Sequence, residues 1–346
     1  MTSKQRLDLI KRNTQEIVTE SELKTLLKTK KTPSAYIGYA TTGLLHMGHL
    51  VPLVKMADFL KAGFKFTFLS ADLHAYLDDQ KSTFNLLASR AKVYEELVKG
   101  ALTSIGVPTT KIKFVKGSDY QLKKEYTLDV LKLQGVVRQR RALRAASEVV
   151  RLGDNPFVGG LSYPLMQIVD CKALRADAVL GGVDQRGIYM LGREVFDEIG
   201  YKKPVFVFTP LMASLSGDRM GGKMSASDNK SKISLLATEK EIRTGINTAF
   251  CPAKEQGPLL ELLKFAVFPI LENKKRAFKI QRPAKFGGDI IFKSYTELER
   301  AYLAGKLHPM DLKAALAGEL NTILAPIRKQ MAGKKALLKK AYPNLS

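Results

Sequence analysis

The chain has 346 residues, 45% hydrophobic and 26% charged, with 56 Lys+Arg against 33 Asp+Glu and a formal net charge of +23. That length supports a large core and two domains, and the composition is that of a soluble globular protein. No apolar run approaches the ~20 residues that span a bilayer, and the polar start Met1-Thr2-Ser3-Lys4 lacks the apolar stretch of a secretory signal, so no membrane association is expected. Cys171 and Cys251 are the two cysteines and stand apart, which argues against a disulfide framework or a structural zinc site and for a reducing, cytoplasmic compartment. The positive excess makes a nucleic acid the default partner. It falls in two zones: residues 251–346 carry 18 Lys+Arg against 8 Asp+Glu, and Arg138, Arg140, Arg141, Arg144 and Arg151 lie within 14 residues beside one acid, Glu148.

In chain order, residues 5–30 read as helical, with Ser21 as a cap. Residues 35–39 form a strand that breaks at Thr41-Thr42-Gly43, after which His46 to Lys61 runs at helical period. Residues 64–69 are a strand and 71–76 a turn; a helix near 83–104 leads to a strand at 111–115. The stretch 117–170 is mostly helical and rich in arginine. Strands return at 176–180 and 204–208, separated by a helix near 187–199. This alternation predicts an α/β fold with a doubly wound parallel sheet. From Cys251 the pattern is helical, interrupted by glycines and prolines in 282–289 and ending in a lysine-rich helix whose last residues fray. The expected domains are 1–250, including a helical insertion at about 117–165, and 251–346.

Two short motifs carry the chemistry. His46-Met47-Gly48-His49 lies at a strand-to-helix junction, where free backbone N–H groups and the helix dipole favour anions. Gly48 lets a ring or sugar approach the backbone. Lys223-Met224-Ser225-Ala226-Ser227 follows Gly221 and Gly222 in a loop between strand and helix, where a mobile lysine suits phosphates whose charge shifts during cleavage. Either motif alone also fits an ordinary surface helix or loop. The pair in this order points to activation of a carboxylic acid with ATP. A third pattern, Tyr163, Gln167 and Asp170 at i, i+4 and i+7, puts three polar side chains on one face of an apolar helix. They either satisfy one another in the core or line a pocket for a small polar ligand. Gln185 follows the next strand, at the sheet edge where ligands bind in doubly wound folds.

With Ala71-Asp72-Leu73-His74-Ala75-Tyr76-Leu77, Gly117-Ser118-Asp119-Tyr120-Gln121-Leu122, Tyr126-Thr127-Leu128-Asp129-Val130, Gly181-Gly182-Val183-Asp184-Gln185-Arg186 and Leu307-His308-Pro309-Met310-Asp311, the chain resembles the tyrosyl-tRNA synthetases of archaeal and eukaryotic cytosolic type over about residues 8–331. The resemblance implies a class I, Rossmann-like catalytic domain, a helical connective insertion that makes a homodimer interface, and a helical anticodon-binding domain. It implies tyrosine, ATP with Mg²⁺, and tRNA(Tyr) as ligands. Tyr36 and Asp170 would bracket the substrate phenol, Tyr163, Gln167 and Gln185 would hold its ammonium and ring edge, Gly38 would offer backbone, and His74 would line the pocket. His46, Gly48, His49, Lys223, Met224, Ser225 and Ser227 would serve ATP. Arg144 and Arg186 would touch the acceptor stem, and Phe286 and Asp311 the anticodon. Ala226 departs from the family, many of whose members carry lysine or serine there. The rivals are a tryptophanyl relative, which the Tyr36/Asp170 pair argues against, a small nucleotidyltransferase with a similar histidine motif, and a synthetase-like RNA-binding protein without ligase activity.

Overall fold

The structure is a computed structural model that describes residues 1–78, 81–150, 152–217 and 232–344. A six-stranded sheet has the order β1-β6-β5-β2-β3-β4, where β1 is Glu16–Val18, β2 Ser34–Ala40, β3 Lys65–Ala71, β4 Ile112–Lys116, β5 Ala178–Gly182 and β6 Val205–Thr209. All neighbours are parallel except the edge strand β1, which runs antiparallel to β6. The β6 run Val205-Phe206-Val207-Phe208-Thr209 is buried throughout, as a parallel strand covered by helices on both faces requires.

From β2 the chain winds outward through β3 and β4, then crosses back to β5 and winds the other way through β6. The strand order therefore reverses between β2 and β5, whose pairing covers only Ala35–Ala178 and Tyr36–Val179. Beyond that point the two strands part, and the crevice at their C-terminal ends is where a doubly wound fold accepts ligands. The expected strands are present within one or two residues of their predicted limits.

Three elements differ from the sequence expectation. Residues 5–30 are not one helix but Ser3–Lys11 and Glu20–Thr29, separated by β1. The second helix is capped by Thr19 rather than Ser21, in a reciprocal box with Glu22. The predicted turn at 71–76 is a short helix, Asp72–Leu77, whose Asp72 carboxylate accepts from the Ser118 amide at 2.8 Å. The helix Val158–Ala173 runs on through Pro164.

The insertion between β4 and β5 holds the helices Lys124–Val136 and Gln139–Ala146. After Cys251 the chain is helical apart from an antiparallel hairpin, β7 (Phe278–Ile280) and β8 (Ile290–Phe292), which flanks the Gly/Pro stretch 282–289 where the expected helical pattern breaks. The long helices Phe84–Ile105 and Pro309–Ala332 pack so closely that a Cβ on Gly100 would lie 2.8 Å from the Ile327 Cα. One apolar core runs from Ile37 and Phe68 of the sheet to Leu320 and Ile327 of the C-terminal helices. The lysine-rich end is the helix Lys335–Ala341, whose last residue Ala341 is fully buried, as Tyr342 nearly is; Leu345 and Ser346, where fraying is expected, lie outside the described residues.

Candidate active site

A cavity of about 590 Å³ opens at the switch point. Tyr36, Gly38, His46, Gly48, His49, His74, Tyr163, Gln167, Asp170 and Gln185 all line it. Residues separated by up to 149 positions thus converge because they lie on β2, in the segments that follow β2, β3 and β5, or on the helix packed across them. The i, i+4, i+7 stripe on Val158–Ala173 faces the cavity as its helical period requires, and Gln167 Nε2 donates to Gln185 Oε1 at 3.0 Å.

Asp170 is the most organised group. Its Oδ1 accepts from the Tyr120 hydroxyl at 2.7 Å, the Tyr126 hydroxyl at 2.9 Å and Gln121 Nε2 at 2.9 Å. Burial pushes its carboxyl up to about 7, while those three donors pull it down. Its Oδ2 lies 3.9 Å from His74 Nε2, a buried ring atom with no hydrogen-bond partner, and burial lowers His74 to about 4, so this imidazole is neutral. On β2, Tyr36 is 1% exposed and its hydroxyl lies 3.3 Å from the Cys171 Sγ. Burial holds the phenol well above its ordinary value, with Cys171, Tyr189 and Asp170 adding to it, so it stays a hydroxyl. Gly38 follows two residues on, and a side chain there would press on Leu69 at 3.3 Å. Tyr120, Gln121 and Tyr126 were part of the resemblance but had no assigned role; their shared acceptor is visible only in three dimensions.

The histidine pair occupies a tight turn before the helix Leu50–Lys61. The Gly48 amide donates to His46 Nδ1 at 3.2 Å, which leaves the His46 proton on Nε2. His49 Nδ1 lies 3.1 Å from the His46 amide and 3.2 Å from its carbonyl, and the two rings stand edge to face at 4.1 Å. Burial lowers His46 to about 2, with His49 and Lys232 adding to it, and burial lowers His49 to about 4. Burial thus keeps both rings neutral.

Lys223, Met224, Ser225, Ser227 and Ala226 lie outside the described residues, as does Arg151. The chain leaving that loop is tied to the histidine turn: Met47 N donates to Ile233 O at 2.9 Å, Leu235 N to Leu45 O at 3.0 Å, and His46 bridges Ser234. The segment Ile233–Leu235, which follows the lysine motif in sequence, is therefore joined to the histidine turn through backbone.

The remaining four candidates lie away from the cavity. Arg144 and Arg186 are exposed on helices whose contact is so close that a Cβ on Gly187 would lie 2.7 Å from the Ala145 carbonyl oxygen. Arg186 is engaged by Glu16 at 2.7 and 3.0 Å. Phe286 is 59% exposed between β7 and β8, with Lys285 stacked 5.1 Å above its ring. Asp311 stands in the first turn of Pro309–Ala332, which His308 caps by accepting from the Met310 amide at 3.2 Å.

The family profile for tRNA synthetases class I (W and Y) matches residues 28–325. The tyrosine–tRNA ligase of Haloarcula marismortui is 47% identical over 99% of this chain and 98% of its own length. The cytoplasmic tyrosine–tRNA ligase of Saccharomyces cerevisiae is 44% identical over 97% of this chain and 87% of its own length. The crystal structure of tyrosyl-tRNA synthetase from Archaeoglobus fulgidus complexed with L-tyrosine superposes with a TM-score of 0.88, at 39% identity, over 95% of this chain and 99% of that one. A switch-point cavity built from the histidine turn and the Tyr163/Gln167/Asp170 face, in a chain matched almost end to end, leaves no other home: the chain belongs to the class I tRNA synthetases (W and Y).

Proposed function

We propose that this chain is a tyrosine–tRNA ligase that joins tyrosine to ATP, giving tyrosyl-adenylate and pyrophosphate, and then passes the tyrosyl group to the 3′-terminal adenosine of its tRNA. The observation that carries this reading is that one cavity is lined both by the Tyr36/Asp170 pair and by the His46-Gly48-His49 turn. The first suits a phenol: Tyr36 offers a hydroxyl, and Asp170 keeps Oδ2 for a donor while Oδ1 is saturated. Gln167 and Gln185 offer amide oxygens to an ammonium. The second suits phosphate, with the neutral His46 Nε2–H donor and the His49 ring beside backbone amides at the start of a helix.

The tyrosine carboxylate attacks the α-phosphorus, the bond to the β-phosphate oxygen breaks, and pyrophosphate leaves. A ribose hydroxyl of the tRNA end then attacks the carbonyl carbon, and AMP leaves. No side chain is a nucleophile in either step. The protein aligns the reactants and stabilises charge, His46 and His49 on the phosphate oxygens and Lys223 on the departing pyrophosphate. Mg²⁺ binds phosphates with few protein ligands and would neutralise the same oxygens. The basic zones would hold the tRNA: Arg144 and Arg186 the acceptor stem, Phe286 and Asp311 the anticodon.

Leu122, Leu128, Leu131, Val136, Phe157 and Val158 are each at least half exposed on and beside the insertion helices. An apolar surface of this kind supports a homodimer formed there. Two free thiols, and no helix among the described residues long and apolar enough to cross a membrane, are in keeping with work in the cytoplasm.

Amino-acid-dependent ATP–pyrophosphate exchange tests the assignment. Tyrosine should support exchange and phenylalanine and tryptophan should not; Asp170→Ala should weaken tyrosine use by about 1.5–3 kcal/mol, the worth of a hydrogen bond to a charged group, with the KM for ATP little changed. Exchange driven by tryptophan, or tyrosine selectivity intact in Asp170→Ala, would overturn it.

A further inference from the structure

The C-terminal stretch packs against the turn that borders the catalytic cavity. Tyr342 follows the helix Lys335–Ala341, is 8% exposed, and directs its hydroxyl to the Gly43 carbonyl at 3.3 Å. Its ring lies 4.9 Å from the Arg90 guanidinium. Arg90, on Phe84–Ile105, donates to the carbonyls of Ala341 at 3.0 Å, Thr42 at 2.8 Å and Lys81 at 2.8 Å. One helix turn further, the Tyr94 hydroxyl also donates to the Gly43 carbonyl. Lys334 pairs with Glu96 at 3.0 Å, and Gln330 donates to the same carboxylate at 2.7 Å, which seats the whole C-terminal stretch on that helix.

These bonds end on Thr42 and Gly43, the turn between β2 and His46. Thr42 and Lys81 line the same cavity as His46 and His49. A turn outside regular structure has few internal bonds, so its conformation is set by what holds its carbonyls. Thr42 and Gly43 together receive three side-chain donors, from Arg90, Tyr94 and Tyr342. An exposed basic tail that served only to attract RNA would need none of this.

We propose that Tyr342 and Arg90 are positioning residues for the nucleotide half of the site: the C-terminal segment clamps the Thr42–Gly43 turn and so fixes the His46–His49 turn against the triphosphate. This rests on the reading of the histidine turn as the ATP side of the cavity. Neither residue needs to touch substrate. A loose clamp lets the imidazole donors wander, and misplacement of such groups by about 1 Å is worth up to roughly 10²-fold.

The test is steady-state pyrophosphate exchange with the full chain, varying ATP and tyrosine separately, for Tyr342→Ala, Tyr342→Phe and Arg90→Lys. Tyr342→Ala and Arg90→Lys should raise the KM for ATP by about tenfold or more and leave the KM for tyrosine within about twofold. Tyr342→Phe, which keeps the ring over Arg90 but deletes the donor to Gly43, should raise the KM for ATP by less than Tyr342→Ala. A folded Tyr342→Ala or Arg90→Lys with an unchanged KM for ATP overturns the clamp. So does an equal rise in both KM values, which is general loosening. If Tyr342→Ala does not fold, Arg90→Lys decides by the same split. A wild-type chain with no tyrosine-dependent exchange overturns the site reading and the clamp with it; an active wild type without the split overturns the clamp alone.

Discussion

Asp170 shows how a single buried group can be tuned. Its neighbours are Tyr120, Gln121 and Tyr126 on one oxygen and His74 near the other, with Asp72, Cys171 and Tyr36 close by. Burial raises the carboxyl to about 7 in the fold, above an unfolded value near 4. The folded state then binds the extra proton, so this group's contribution to stability is present below pH ~4 and is lost as pH rises to about 7, at up to about 1.4 kcal/mol per pH unit. Chemical denaturation of the ligand-free protein should show that decline, and Asp170→Asn should remove it. A substrate phenol donates best to the ionised form, so the KM for tyrosine should fall as pH rises through about 7. Tyr120→Phe deletes a donor to the carboxylate and should move that midpoint upward by about one pH unit. A midpoint that stays put in Tyr120→Phe would show that the three donors do not set the ionisation of Asp170. The i, i+4, i+7 stripe was legible because helical period is local information. The Tyr120/Gln121/Tyr126 shell was not, because its residues come from a turn and a helix of the insertion that meet Asp170 only after folding.

At the scale of elements, the site depends on how closely helices approach. Gly187 opens the helix Arg186–Val195 onto the Ala145 carbonyl of Gln139–Ala146, and this contact sets the spacing of Arg186 and Arg144. Gly187→Ala places a methyl group 2.7 Å from a backbone oxygen that cannot rotate away. The cost expected for such overpacking is about 1–3 kcal/mol. A thermal melt should register it, and tRNA affinity should drop while tyrosine-dependent pyrophosphate exchange is retained. Equal loss of both activities would mean that the two helices support the cavity rather than the tRNA surface. The parallel strands were readable because buried runs such as Val205-Phe206-Val207-Phe208 admit few other uses. β1 was not, being three residues long and specified by its pairing with β6. The capping box of Thr19 and Glu22 is readable in the sequence and outranks the neighbouring Ser21 as the helix start.

At the scale of the whole molecule, charge has to be sorted by whether it is already engaged. The sequence treats Lys334, Lys335, Lys339 and Lys340 as one basic tail. In the fold Lys334 is paired with Glu96 and Arg186 with Glu16, whereas Lys335, Lys339, Lys340 and Arg144 are exposed. Such partners are invisible to a charge count because Glu96 lies 238 positions away from Lys334. Each phosphate contact made by a tRNA-facing cation contributes roughly 0.7–0.9 to the slope of log affinity against log salt. Lys335→Ala and Arg144→Ala should therefore weaken tRNA binding and flatten that slope by about one contact each. Lys334→Ala should instead destabilise the seating of the C-terminal stretch on Phe84–Ile105 and leave the slope unchanged. Filter binding across a salt series, set beside thermal melts of the same variants, separates these effects. A flattened slope in Lys334→Ala would mean that the tRNA competes with Glu96 for this lysine, and the C-terminal stretch would then be part of the RNA-binding surface as well as a support for the catalytic turn.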